Sequence, residues 1–300
     1  MFAEAVRDQI IYVNPADAVR RVKSAKHTED FEGTALDFDQ FARFHELGEA
    51  LYQSGSCVLW CALFLAAALG LRRGEVMGLR WQDIDLENGL LSVRQNLTIN
   101  PEPTITTPKT KNSIRDIPMP SSVKAMLKRH QEKQQENRAK AGNAWQNTGA
   151  VFATELGVYT SPDNLSRALN GLLDWSTPEP LERKTRANKA KGEESEIKIV
   201  TLEQRMKAIP REHRAKLEAI VRDGKPLPRI SPHDLRHTAG TLMLRKGMPV
   251  EVVSKILGHA RVSITMDVYR HVLDSEKRAV MVDLFEQPLP VRNVVSIPLN

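Results

Sequence analysis

The feature that most limits what this chain can fold into is an apolar run over residues 57–71, which carries no charged side chain. The run is shorter than the roughly 20 residues that a helix needs to cross a bilayer, so it predicts a helix buried in a protein core. Its Cys57 and Cys61 are the only cysteines of the sequence and lie one helical turn apart. Two thiols in apolar surroundings indicate small core hydrophobes in a reducing compartment, with no disulfide framework or metal site.

Length and composition are those of an ordinary globular protein. The 300 residues are 41% hydrophobic and 27% charged, which suits one large or two modest domains and excludes a disordered or fibrous chain. Residues 1–13 carry charges where a secretory signal would be apolar, so we expect a cytoplasmic protein that does not enter a membrane. With 43 basic and 37 acidic side chains the formal charge is +6, which is compatible with a nucleic-acid partner without assigning one.

The spacing of apolar residues predicts a mixed α/β fold that is predominantly α-helical. Apolar residues three and four positions apart mark the helices, and Ser161-Pro162 and Ser231-Pro232 each combine an N-cap residue with a proline in the first turn. The predicted helices span residues 38–51, 56–70, 73–79, 121–141, 161–173, 231–246, 249–257, 263–272 and 274–285.

Short strands are predicted between the third and fourth of these helices, over residues 83–86, 90–97, 104–107 and 114–118. The dipeptide Asn88-Gly89 is a typical hairpin turn. A basic turn over residues 108–113 separates the last two strands and carries Lys109 and Lys111. We expect a small three-stranded antiparallel sheet with these two lysines at the tip of a hairpin.

Four short strings carry reactive side chains. They are Gly70-Leu71-Arg72-Arg73-Gly74-Glu75, the lysines of the basic turn, His233-Asp234-Leu235-Arg236-His237, and Leu257-Gly258-His259 followed ten residues later by Tyr269. Each string alone has an ordinary structural explanation, such as a helix cap, an ion pair or a half-buried tyrosine. The combination is what indicates chemistry.

Taken in this order, the strings meet the requirements of phosphoryl transfer without a metal ion. Arg72 and Arg236 supply planar guanidinium groups that bind phosphate oxygens in pairs and stay charged. A phenol such as that of Tyr269 loses its proton more easily than a serine hydroxyl and serves as a nucleophile. A lysine at a hairpin tip suits the proton donor for the departing oxygen.

As a set, residues 70–81, 107–111, 233–238 and 257–259 with Tyr269 resemble the catalytic domain of tyrosine recombinases, the phage integrase family. The resemblance covers roughly residues 31–290 and implies the tyrosine recombinase catalytic fold. It also implies a site-specific DNA recombinase or integrase of a mobile genetic element. Such an enzyme cleaves and rejoins DNA strands through a 3′-phosphotyrosyl intermediate.

The resemblance implies six catalytic residues and one supporting residue: Arg72, Lys109, His233, Arg236, His259 and Tyr269, supported by Glu75. The two arginines would clamp the scissile phosphate, and the two histidines would hydrogen-bond its oxygens and help to manage the proton of the nucleophile. Tyr269 would attack the phosphorus, Lys109 would protonate the 5′-hydroxyl leaving group, and Glu75 would hold Arg72.

Two of these assignments have alternatives within the sequence. Lys111 lies on the same turn as Lys109, and only the register of the turn decides between them. His237 forms a His-x-x-x-His pair with His233, but no third ligand accompanies it, so we assign no metal and expect His237 to pack on its helix or to contact the phosphate backbone. The family resemblance favours Lys109.

Rival functions are a type IB topoisomerase and a non-catalytic DNA-binding protein. The spacing from Leu257-Gly258-His259 to Tyr269 favours a recombinase over a topoisomerase. The complete series of reactive side chains argues against a binding module, which has no use for a tyrosine nucleophile.

The resemblance also implies partners and a domain order. Double-stranded DNA is the substrate, a homotetramer on synapsed DNA is the working assembly, DNA-bending proteins are possible accessories, and neither ATP nor a divalent ion nor another cofactor is needed. We expect a remnant of an N-terminal core-binding domain plus linker over residues 1–30, the catalytic domain over 31–285 and a docking tail over 286–300. Residues 174–230 form a charged insertion, partly mobile and partly helical, which either adds DNA contacts or is a solvated excursion.

Overall fold

The structure is a computed structural model that describes residues 34–99, 102–106, 113–184, 197–270 and 272–273, with positions 6, 7, 9 and 12 before them. The chain divides into two units, Met1–Glu32 and Gly33–Asn300, and every element described below belongs to the second. Several predicted features lie outside the described residues. They are most of the segment 1–30, Lys109 and Lys111 of the basic turn, residues 185–196 of the insertion, the helix 274–285 and the tail 286–300.

Helices dominate the described residues, as predicted. They are α1 (Phe38–Gln53), α2 (Trp60–Leu69), α3 (Arg73–Met77), α4 (Ser121–Ala141), α5 (Pro162–Trp175), α6 (Leu202–Lys207), α7 (Arg211–Asp223), α8 (Pro232–Arg245), α9 (Val250–Leu257) and α10 (Val262–Val268). In the part of the chain that the structure describes, no helix combines the length and the apolarity needed to cross a bilayer.

The predicted core helix is α2, which is buried along its whole length apart from Ala68. It packs most extensively against α8 and also contacts α1, α4 and α5. Gly70 ends α2 in the left-handed region with φ +66, which turns the chain directly into α3. Cys57 and Cys61 are free and buried, and burial raises the pKa of Cys57 to about 12. Both thiols are core side chains, as predicted.

The predicted three-stranded antiparallel sheet is present, but its strand pairing differs from the prediction. It has the order β1 (Ile84–Asp85), β2 (Leu90–Val93) and β5 (Arg115–Pro118). Strands β3 (Asn96–Ile99) and β4 (Pro103–Thr106) form a separate pair. Among the described residues, β4 and β5, the strands on either side of the basic turn, therefore belong to different sheets. The prediction that these two strands pair as a hairpin is wrong.

Gln95 is the physical reason for this difference. Its buried side chain donates to Gly78 O (2.6 Å) and to the hydroxyl of Tyr159 (3.1 Å), and this interaction breaks the predicted strand 90–97 in two. The first half pairs with β5, with Val93 opposite Arg115. The second half pairs with β4.

In the charged segment, the described residues 174–184 and 197–230 form regular structure that packs on the domain. It contains the antiparallel strands β6 (Leu181–Lys184) and β7 (Ile197–Val200), followed by α6 and α7. The helical part predicted for this segment is present as these two helices. Leu202, Leu217 and Val221 belong to the main core, and α7 packs on α1. This part of the segment is therefore a structural layer of the domain.

Candidate active site

The candidate site is assembled around the C-terminal end of α9. Gly258 ends this helix in the left-handed region with φ +67, a conformation that glycine adopts without steric cost. The last carbonyl oxygens of a helix lack partners within the helix and carry its partial negative charge. The end of α9 is therefore a suitable acceptor for positively charged donors.

Three arginines donate to three consecutive carbonyl oxygens at this helix end. The donors and acceptors are Arg115 Nε to Ile256 (2.5 Å), Arg236 Nη2 to Leu257 (2.6 Å) and Arg72 Nη2 to Gly258 (3.4 Å). The arginines come from β5, from α8 and from the residue that precedes α3. The structure thus brings the predicted pair Arg72 and Arg236 together and adds Arg115 to it.

Glu75 joins two of these arginines. Its carboxylate accepts from Arg72 Nη1 (2.7 Å) and from the Arg72 backbone N–H (3.0 Å), and it also accepts from Arg115 Nη1 (3.2 Å) and Nη2 (2.8 Å). Burial opposes ionisation of this carboxyl, but the hydrogen bond and charge of Arg115 and the charge of Arg72 lower the pKa of Glu75 to about 2. Glu75 is thus a buried carboxylate that holds both Arg72 and Arg115.

The two predicted phosphate-binding arginines differ in exposure. Arg236 is buried and also donates from Nη1 to Gly70 O (2.7 Å). Burial and the charge of Arg72 lower the pKa of Arg236 to about 9, which still leaves its guanidinium charged at neutral pH. The side chain of Arg72 is 39% exposed. It opens, together with His233, into a surface cavity of about 440 Å³.

His259 follows the glycine that ends α9, and its ring is held by α10. The Nδ1 atom of His259 is 2.7 Å from Oγ1 of the buried Thr265. Burial and the charges of Arg236 and Arg72 lower the pKa of His259 to about 4. A neutral imidazole has one N–H donor and one acceptor nitrogen. With Nδ1 engaged by Thr265, Nε2 is the atom left for other contacts.

His233 and His237 lie one turn apart on α8, with ring centroids 4.6 Å apart in an edge-on arrangement. Burial and the charge of Arg236 lower the pKa of His233. The ring of His237 also packs near that of Tyr269, at 5.9 Å between centroids. His237 packs between the rings of His233 and Tyr269, and His233 lines the cavity beside Arg72.

Tyr269 is the C-cap residue of α10 and is only 2% exposed. It belongs to a small apolar cluster with Leu244, Val253 and Leu257, next to α8 and α9. Burial raises the pKa of its phenol to about 12, although the charge of Arg236 acts in the opposite direction. The structure therefore places the phenol within the electrostatic reach of Arg236, with its ring packed inward.

The structure adds Arg115 to the predicted site residues, whereas the position of Lys109 is not described. Lys109, and its alternative Lys111, lie outside the described residues. Arg115 was not among the predicted site residues, since the sequence indicated only a strand there. A signal was nevertheless present, because alternation in a strand puts Arg115 on the same face as the apolar Ile117. A charged residue on the inward face of a strand calls for a buried partner.

Comparison with curated proteins finds relatives among recombinases. A XerC-like tyrosine recombinase of Caldanaerobacter subterraneus subsp. tengcongensis is 34% identical over 230 residues, which are 72% of this chain and 46% of that protein. The ICEBs1 integrase of Bacillus subtilis is 24% identical over 279 residues, 93% of this chain and 60% of that protein. The chain thus spans about half the length of these curated relatives.

Solved structures show the same fold. The Tn1549 transposon integrase, solved in complex with transposon right end DNA, superposes with a TM-score of 0.56 at 19% identity and covers 94% of this chain and 76% of its own. The XerA recombinase gives a TM-score of 0.51 at 18% identity, covering 83% of this chain and 65% of its own. The mostly helical tyrosine recombinase fold predicted from the motifs is confirmed.

The profile of the Phage integrase family matches residues 35–276, and this range contains every site residue discussed above. The match extends over well more than half of the chain. The chain therefore belongs to the phage integrase family.

Proposed function

We propose that this chain is a tyrosine-type site-specific recombinase that cleaves and rejoins double-stranded DNA through a 3′-phosphotyrosyl intermediate. The observation that carries the proposal is the convergence of Arg72, Arg236 and His259 on one helix end, with Tyr269 in the adjoining apolar cluster. These side chains come from distant parts of the sequence. Helix packing alone would not require them to meet.

The charge balance of the cluster suits a phosphodiester. Three guanidinium groups, from Arg72, Arg115 and Arg236, and one carboxylate, from Glu75, give 3 − 1 = +2. A phosphodiester carries one negative charge, and attack by a phenolate adds a second in the transition state. Fixed positive donors stabilise that added charge without having to reorganise during the reaction. Arg72, the more exposed of the two predicted clamps, would meet the phosphate first.

In the proposed reaction the Tyr269 Oη atom attacks the phosphorus, a P–O bond to Tyr269 forms and the P–O5′ bond breaks. The neutral rings of His233 and His259 are suited to accept the phenol proton or to hydrogen-bond the phosphate oxygens. Lys109 is assigned by its place in the family motif to give a proton to the leaving O5′. A 5′-hydroxyl of another strand then reverses the steps. One phosphoester replaces another, so the balance needs no ATP.

The burial of Tyr269 supports a resting state in which the nucleophile is withheld. A phenol that is 2% exposed cannot touch a phosphate bound beside Arg72. The residue sits at the end of α10, a helix of only seven residues. We infer that DNA binding and assembly move this short segment outward, which places the phenol at the phosphate.

The proposal includes the partners and the domain order. Four strands of two duplexes must be cut and joined, and one phenol per chain then calls for a homotetramer on synapsed DNA, with DNA-bending proteins as possible accessories. Action on chromosomal DNA implies a cytoplasmic location and a role in the integration of a mobile genetic element. Residues 31–285 would form the catalytic domain, 1–30 the end of a core-binding domain with its linker, and 286–300 a docking tail.

The test uses a pool of nicked DNA duplexes with randomised sequence around the nick. Cleavage close to the nick releases a short strand with a 5′-hydroxyl end, so the covalent adduct cannot be resealed and is detected on a denaturing gel. We expect the wild-type chain to form a 3′ adduct and Tyr269→Phe to form none. A wild-type chain that binds DNA without forming an adduct would make it a binding module. Relaxation of supercoiled DNA without strand exchange would indicate a topoisomerase.

A further inference from the structure

Arg115 is built into the site differently from the other two arginines. It is 8% exposed and does not line the cavity beside Arg72, so it is not available to a bound phosphate there. Its guanidinium is instead occupied by protein acceptors. Nε donates to Ile256 O, Nη1 to Glu75 and Ser113 O, and Nη2 to Glu75.

These contacts tie two parts of the site to each other. The two Nη atoms of Arg115 donate to the two carboxylate oxygens of Glu75. The Oε1 atom of Glu75 also accepts a hydrogen bond from Arg72 Nη1. The Nε atom of the same guanidinium holds the last turn of α9, which leads through Gly258 into His259. A shift of Arg115 would therefore move the support of Arg72 and the turn that carries His259.

Gly258 shows how closely the two parts fit. A Cβ at this position would lie 2.9 Å from Arg115 Nη1 and 3.1 Å from its Cδ and Cζ. The backbone of the turn thus lies flat against the guanidinium, and no side chain fits between them. The turn that leads into His259 is therefore held both by the packing of Gly258 against Arg115 and by the hydrogen bond from Arg115 to α9.

We propose that Arg115 is a positioning residue, which fixes Arg72 through Glu75 and His259 through the end of α9 at the separation that one phosphate requires. The inference rests on the proposed strand-cleavage function. It differs from a simple stabilising role because it predicts coupling between Arg115 and Glu75 in the rate of cleavage. A buried arginine that only stabilises the fold would show no such coupling.

The chain offers a matched control in Arg205. This arginine is 6% exposed and also satisfies backbone carbonyls, those of Asp174, Thr177 and Glu179. It lies in α6, within the segment 174–230, and has no contact with Glu75 among its hydrogen bonds. Arg115→Gln and Arg205→Gln therefore remove similar numbers of buried hydrogen bonds, in one case at the site and in the other away from it.

The experiment measures the rate of adduct formation on duplexes selected from the nicked pool, at saturating DNA and at a temperature where each variant is folded. The variants are Arg115→Gln, Arg115→Lys, Glu75→Gln, Arg205→Gln and the two double variants that combine Glu75→Gln with Arg115→Gln or with Arg205→Gln. Thermal unfolding gives the folded fraction, and DNA affinity is measured in parallel.

We expect Arg115→Gln to slow adduct formation by on the order of 10²-fold with little change in DNA affinity, as a misplacement of about 1 Å does in other active sites. Adding Glu75→Gln should slow it little further, because both changes break the same connection. Arg115→Lys keeps the positive charge but cannot donate to both oxygens of Glu75 at once, so it should recover only part of the rate of adduct formation. Arg205→Gln should keep the wild-type rate per folded molecule and combine additively with Glu75→Gln.

Two outcomes would overturn the inference. One is an Arg115→Gln rate equal to that of Arg205→Gln per folded molecule. The other is simple additivity of Arg115→Gln and Glu75→Gln. If the wild-type chain forms no adduct at all, the proposed function fails and the inference fails with it. A normal wild-type adduct with an unaffected Arg115→Gln variant overturns the inference alone.

Discussion

The hydroxyl of Tyr269 rests directly against Gly240 of α8, where a Cβ would overlap its Oη and Cζ atoms. The inward position of the phenol therefore depends on the absence of a single methyl group on the neighbouring helix. Glycine in a helix costs roughly 1 kcal/mol relative to alanine, so the site keeps this residue at the expense of helix stability.

Gly240→Ala should expel the ring of Tyr269 from its pocket. We expect the phenol to titrate closer to the value of about 10 for an exposed tyrosine than to its present value of about 12. The measurement is the alkaline absorbance titration, taken as the difference between each protein and its Tyr269→Phe counterpart. Overpacking should also lower the free energy of unfolding by about 1–3 kcal/mol.

Gly171→Ala is the matched control for this change. Gly171 lies within α5, and a Cβ there would meet no atom within 4 Å. The control should leave the titration of Tyr269 unchanged and stabilise the fold by about 0.5–1 kcal/mol. If Gly240→Ala behaves in the same way, the close contact between Tyr269 and Gly240 is not what holds the phenol.

Glu75→Gln should destabilise the fold in a pH-dependent manner. The pKa of Glu75 is about 2 in the folded chain and near 4.5 when unfolded, so its stabilising effect is complete above pH 4.5 and is lost as the pH falls toward 2. We expect a loss on the order of 3 kcal/mol at pH 7, which shrinks at pH 3. Urea unfolding at both values measures it. Glu136→Gln, which breaks an exposed pair with Lys133, should show little effect at either pH.

His259 should remain neutral well below the usual range for histidine. Its pKa is about 4 in the folded chain against 6.5 for the free side chain, so the unfolded chain takes up the proton first. The stability linked to this residue therefore decreases as the pH falls from 6.5 to 4. NMR titration of the ring protons, assigned with a His259→Asn variant, checks the value. A midpoint above pH 6 would contradict the environment described for this ring.

Thr265→Val should release the ring of His259 without changing the shape of its surroundings. Loss of the contact at Nδ1 should cost about 1–3 kcal/mol of unfolding free energy and slow adduct formation, because the orientation of the ring is no longer held. Thr148→Val removes a hydroxyl that donates to Gly157 O at the same distance, 2.7 Å. This control should affect stability but leave the cleavage rate per folded molecule intact.

Cys57 and Cys61 should resist thiol reagents in the folded chain. Both are buried, and burial raises the pKa of each, so neither presents a thiolate at neutral pH. We expect no labelling by a maleimide under native conditions and labelling of both thiols in denaturant. Rapid native labelling of Cys61 would contradict the burial of α2, and rapid labelling of Cys57 would contradict the burial of the residues just before it.

Local signals in the sequence predicted the helices well. The boundaries of α4, α5 and α8 follow from caps and prolines that act within one turn, and Gly70 ends α2 as its backbone freedom predicts. The clustering of Arg72, Arg236 and His259 could be predicted from the family motifs, since these strings fix which residues meet. Local rules alone would not have brought them together.

The misassigned features depend on contacts between distant residues. Gln95 breaks a strand by bonding to Gly78 and Tyr159, and nothing in its immediate neighbourhood indicates those partners. The helices of residues 202–223 were predicted, but their place in the core was not, because the surface on α1 that α7 packs against is more than 150 positions away in sequence. The role of Arg115 likewise depends on a distant residue, because its carboxylate partner Glu75 lies 40 residues earlier.

The three arginines donate to carbonyl groups of residues 256–258, and all three arginines come before these residues in the chain. During synthesis the three arginines are therefore made before the C-terminal end of α9, to which they donate. Until then Glu75 can receive Arg72 and Arg115, but the helix end that all three arginines contact does not yet exist. The arrangement of the three arginines described above is therefore completed only when the last of these carbonyl groups has been synthesised.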